Sequence, residues 1–96
     1  MSAHFESLFN HNERSVFEAV NASAPRYPHL ATAELLADVA CVALNRLPPR
    51  YIRHEVDFAF YLTDRERIES ERATAEAVAH AFEFVQARRA MRARAA

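Results

Sequence analysis

Three arginines, Arg46, Arg50 and Arg53, close a Leu/Ala-rich run and surround the pair Pro48–Pro49 and the ring of Tyr51. A guanidinium fork bonds bidentately to phosphate oxygens, and its plane stacks on a base. The proline pair fixes two backbone angles, which lowers the ordering cost of the loop that presents those groups. Cations and an aromatic ring gathered on a stiff corner make a mouth for an anionic ligand. Upstream, Asp38 is the one charge that interrupts the apolar run from Leu35 to Leu44, and Asn45 stands seven positions later. On a helix that spacing puts both on one face, about 10 Å apart at 1.5 Å rise per residue. An acid in a buried helix needs a partner. Asp38 and Asn45 either touch the ligand or bond internally and fix the helix exit, since buried polar groups are normally satisfied by protein.

The order Asp38, mixed Ala/Leu/Val, Ala43-Leu44-Asn45, Arg46, Leu47-Pro48-Pro49, Arg50, Tyr51 closely resembles the late competence development protein ComFB family of bacteria. Weaker similarity runs from about Asn10 to about Val85, and Asn10 with Glu13 reproduces an Asn-x-x-Glu pattern often seen there. The resemblance implies a small, mainly helical homodimer that binds cyclic dinucleotides such as cyclic di-GMP or cyclic di-AMP. For such a ligand the arginines serve phosphates or the guanine O6 and N7 acceptors. Asp38 accepts from the guanine N1 and N2 hydrogens, or holds an arginine in place. Stacking on Tyr51 adds about 1 to 3 kcal/mol per base. The candidate ligand-binding set is therefore Asp38, Asn45, Arg46, Pro48, Pro49, Arg50, Tyr51 and Arg53. At Arg50, unlike Arg46, the family pattern tolerates other residues between the second proline and the tyrosine. Arg46 and Arg50 also form the Arg-x-x-x-Arg spacing of PilZ domains, but no glycine follows and the chain is not strand-rich.

Many members of that family carry cysteines just ahead of the Asp, resembling ligands of a structural zinc. The corresponding stretch here, RYPHLATAELLA, has none, and His29 alone cannot complete a four-ligand tetrahedral site. No zinc and no other cofactor is expected, and packing by Leu30, Leu35 and Leu36 has to replace it. The leading expectation is a non-enzymatic, dimeric second-messenger receptor acting on an unidentified protein effector. The alternative is a structural or partner-binding dimer that has lost the ligand and zinc sites. Five His residues lie in separate elements without paired carboxylates, metal spacing or orienting groups, so an enzyme is not expected.

Ninety-six residues make one domain, 1–96, with one modest core. The chain has no Gly, which removes P-loops, Rossmann turns and nucleophile elbows together. All 12 basic residues are Arg, which reflects either genomic base composition or phosphate recognition. A formal charge of -1 argues against general nucleic-acid binding. The single Cys41 reads as a small core residue. With no disulfide possible within the chain, no signal-peptide pattern and no apolar run of 18 residues, a cytoplasmic protein away from membranes is expected.

The predicted fold is mainly α, a homodimeric domain of three to five helices with a short extended or strand segment near residues 52–62. Asn10 and Glu13 have capping-box spacing and open helix one, about His11 to Ala22, while residues 3–9 add an extra turn over the core. Pro25 and Pro28 make a loop. Thr32 caps helix two, with Glu34 at the positive end of its dipole, and the prolines stop it. Ile52, Val56, Phe58, Phe60 and Leu62 alternate with more polar residues at a strand's period of two. A lone strand must pair, and no clean second strand is offered, so it joins its copy across a two-fold axis or lies as a connector over the helices. Thr63 and Glu66 cap helix three, from Asp64 to about Ala90, whose stripe is Ile68, Ala75, Val78, Phe82 and Val85. Arg67 and Glu71 belong to a solvated, salt-bridged face. Residues 88–96 form a flexible or frayed basic tail; a nucleic-acid contact through its arginines is the lesser reading.

Overall fold

The computed structural model describes residues 3–56 and 62–95. Its elements are β1 (Phe9–Asn10), α1 (Asn12–Ser23), α2 (Ala33–Arg46), β2 (Tyr51–Ile52) and α3 (Asp64–Ala95), with 3-10 turns at Phe5–Ser7, Ala24–Arg26 and Pro28–Leu30. The mainly helical architecture expected from the sequence is thus what forms.

Local chemistry explains each boundary. Asn10 N donates to Glu13 Oε2 at 3.2 Å, and Asn12 N donates back to Asn10 Oδ1 at 3.1 Å, so the start of α1 is satisfied by two side chains. Thr32 is extended, at φ -100 and ψ 156, and its hydroxyl accepts from Leu35 N at 3.2 Å, as an N-cap should. Leu47 is extended because Pro48 excludes helical geometry from the residue before it, and there α2 stops. No residue among those described has a positive φ, so the helix ends need no glycine. Thr63 Oγ accepts from Glu66 N at 3.1 Å, the cap expected for α3.

The three helices pack on one another around Val16 and Val20 of α1, Val39, Ala40 and Ala43 of α2, and Val78, Phe82 and Val85 of α3, all buried. Alanines at the α2–α3 contact let the backbones approach, and Phe82 is the largest fully buried side chain. The connector between α1 and α2 is tied to α3. Leu30 is fully buried, Leu35 and Leu36 pack against the core, and the Tyr27 ring stacks on Phe82 at 4.4 Å. Tyr27 Oη donates to Glu83 Oε1 at 3.1 Å, His29 Nε2 and Gln86 Oε1 lie 2.6 Å apart, and Arg89 donates to the His29 carbonyl at 2.8 Å. Burial, with Glu83 beside it, raises the Tyr27 phenol above its ordinary range.

Several expectations are corrected. Cys41 is exposed, not a core residue: it lies two positions from both Val39 and Ala43, on the opposite side of the helix. Asp38 is not buried either. Ile68 and Ala75 are exposed and leave the α3 stripe, whose buried part begins at Thr74. The turn over residues 5–7 does not cover the core, since Phe5 is 74% exposed. The strand is shorter than the alternation suggested. Among the described residues of that segment only Tyr51–Ile52 is strand, antiparallel to Phe9–Asn10 of the same chain, with Phe9 opposite Ile52 and Asn10 opposite Tyr51. Glu55 and Val56 are already helical, and Phe58 and Phe60 lie outside the described residues. Arg67 pairs with Asp64 rather than Glu71, and Arg65 with Glu69. Helix α3 continues through the basic end to Ala95.

Candidate functional site

The Pro-Pro corner is clamped from the start of α1. Asn12 Nδ2 donates to the Pro48 carbonyl at 3.0 Å, Arg50 N donates to Asn10 Oδ1 at 3.2 Å, and His11 N donates to the Arg50 carbonyl at 2.6 Å. One residue, Asn10, therefore organises both the helix start and the loop 40 positions downstream. The short β1–β2 ladder extends the same clamp by two residue pairs. A corner with restricted prolines and three such bonds presents its side chains from a fixed frame.

The predicted ligand residues divide into two groups. Arg46, Pro48, Pro49, Arg50, Tyr51 and Arg53 are all exposed, Tyr51 at 68%. Arg53 Nε donates to Ser7 Oγ at 3.0 Å, which ties the N-terminal turn to the end of β2. Asp38 and Asn45 share a face of α2, as their spacing required, and neither lines the cleft that opens beside the corner. Asp38 is 3.9 Å from Arg88, whose guanidinium lies 5.7 Å from the Phe84 ring centre. Asn45 Nδ2 donates to the Cys41 carbonyl at 3.0 Å, so its amide closes on its own helix. Both side chains have partners within the chain, and both are exposed.

Beside the corner opens a cleft of about 540 Å³. Pro48, Pro49 and Arg50 line it from the candidate set. His11 and Asn12 join them from the α1 side, and Glu66, Glu69, Ser70 and Thr74 from α3. These six were not legible as a group in the sequence, because they come from segments some fifty residues apart and share no motif spacing. Leu47 and Leu62 supply apolar wall. The His11 imidazole is held below its ordinary range, first by burial and further by the Arg50 charge, with Glu55 pulling the other way. Among the described residues no group of His, Cys, Asp and Glu is arranged to hold a metal ion.

The motif residues along α2 and the corner, and the Asn10–Glu13 cap that clamps them, are the features by which a family is decided. The model of the late competence development protein ComFB family matches residues 9–89. The chain belongs to the ComFB family. No curated protein and no solved structure matches it. The matched span of this ComFB-family chain covers both strands, α1, α2, α3 as far as residue 89, and every residue of the corner. No helix among the described residues is long and apolar enough to cross a membrane.

Proposed function

We propose that this chain is a non-enzymatic cyclic dinucleotide receptor, working as a homodimer in the cytoplasm and passing the signal to a protein effector. The observation that carries the reading is the clamped corner: Asn10 and Asn12 fix the backbone of Pro48–Arg50, while Tyr51 and the flanking Arg46 stay exposed. Cyclic dinucleotides join two phosphodiesters to two flat bases. Guanidinium groups meet the phosphates as charge-assisted, bidentate donors, and an exposed ring offers a stacking surface. A preorganised loop spends little binding energy on its own ordering. Membership of the ComFB family supports the ligand class, and the arginine-rich, glycine-free corner supports recognition without catalysis.

Titration calorimetry of the full chain with cyclic di-GMP, cyclic di-AMP and GTP tests this. A cyclic dinucleotide should give saturable heat and raise the melting temperature. Arg46→Ala and Tyr51→Ala should each weaken binding by about tenfold, the loss of roughly 1.4 kcal/mol. Flat traces for every nucleotide on folded protein remove the reading.

A further inference from the structure

The cleft beside the corner has two walls of opposite hydrogen-bonding character. Asn12 and Arg50 line it from the start of α1 and from the corner, Glu66 and Glu69 from the first turns of α3. A carboxylate oxygen accepts and a guanidinium only donates. Each carboxylate holds one local bond through its Oε1. Glu66 Oε1 accepts from the Thr63 hydroxyl at 3.1 Å, and Glu69 Oε1 accepts from Arg65 Nε at 3.1 Å. Both stand on a helix rather than on a loop. The volume, about 540 Å³, falls within the range of small-molecule sites.

We infer that this cleft is a guanine subsite, in which Glu66 and Glu69 read the donor edge of the base; the inference rests on the receptor reading above. Guanine carries adjacent donors at N1 and N2 on one edge and the acceptors O6 and N7 on another. A base entering with its donors toward α3 meets acceptors there. Its O6 and N7 then turn toward Arg50, and its face lies along Pro48 and Pro49. Adenine in the same pose sets the lone pair of its N1 against a carboxylate, leaving two acceptors opposed and unpaired, and that mismatch is costly in a partly desolvated site. The same argument moves base reading away from Asp38, which stands on the other face of α2 beside Arg88. The phosphates stay at the mouth, among the exposed arginines.

Calorimetry with three ligands separates the possibilities: cyclic di-GMP, cyclic di-AMP and cyclic di-IMP, whose hypoxanthine bases lack the N2 amine. Wild-type protein should bind cyclic di-GMP about tenfold or more tightly than either of the others, in keeping with one well-placed bidentate pair. The Glu66→Gln/Glu69→Gln variant keeps side-chain volume on an exposed helix face and should bring cyclic di-GMP and cyclic di-IMP to within about threefold. Arg46→Ala should weaken all three alike. Equal or tighter binding of cyclic di-AMP overturns the guanine subsite, as does a ratio of cyclic di-GMP to cyclic di-IMP that the glutamine variant leaves unchanged. In both cases the receptor reading stands. Absence of heat with all three removes both.

Discussion

His11 is where the corner meets a titratable group. Its backbone N–H holds the Arg50 carbonyl, and its ring is half-buried in the cleft wall, where burial and the neighbouring guanidinium both disfavour a second positive charge. The folded state therefore binds a proton at this ring less readily than the unfolded chain does. Above pH about 6.5 the ring is neutral in both states and its contribution to stability is complete. As pH falls through that value the unfolded chain takes up the proton first, so stability declines until the lowered folded-state value is passed. Urea unfolding at pH 7.5 and 5.5 should show that loss in the wild type and a smaller one in His11→Gln. The difference between the two proteins cancels the contribution of the other histidines, and an identical pH dependence would show that the ring does not titrate with folding. At this scale the sequence was only partly legible. Motif positions could be found, but not which way they face: Cys41 and Asp38 sit on a helix whose alanines blur the boundary between its inner and outer sides.

Elements were legible where their ends are chemical. Thr32, Thr63 and the Asn10–Glu13 pair are caps whose bonds involve neighbours three residues away, and Pro48 stops α2 through the residue before it, so local sequence suffices. The β1–β2 ladder escaped because two residues per strand display no period, and the paired residues, Phe9 with Ile52 and Asn10 with Tyr51, lie far apart in the chain. That ladder is too short to hold itself, which makes the asparagine clamp its main support. Asn10→Ala removes both the α1 cap and the acceptor for Arg50 N, and should cost about 1 to 2 kcal/mol in chemical denaturation. Asn12→Ala loses one exposed bond to Pro48 and should cost about 0.5 kcal/mol. If the clamp positions the corner, Asn12→Ala should also weaken nucleotide binding by more than its small stability loss explains, while Asn12→Gln restores part of it. Equal, negligible effects of Asn10→Ala and Asn12→Ala on stability would mean the corner is held by its prolines alone.

For the whole molecule, the telling proportion is the length of α3 against the core it serves. Thirty-two residues span about 48 Å at 1.5 Å each, close to the longest dimension of the protein, 50 Å, yet the buried positions all fall between Thr74 and Val85. Residues 64–73 are exposed throughout, held among the described residues by the Thr63 cap and by pairs such as Arg65–Glu69 and Arg67–Asp64, each worth tenths of a kcal/mol. At the other end Arg88 and Arg89 reach back to Asp38 and the His29 carbonyl, and beyond them the helix again stands clear. A helix without tertiary burial is marginal at such lengths, so in an isolated protomer amide exchange should be slowest over 74–85 and much faster over 64–73. A second copy that covers the projecting turns would add protection there, and that protection would grow with protein concentration. Exchange measured at low and high concentration thus tests the homodimer through its own geometry. Protection confined to 74–85 at every concentration would place any dimer contact elsewhere, and uniform protection along α3 in dilute, monomeric protein would show that the projecting turns need no partner.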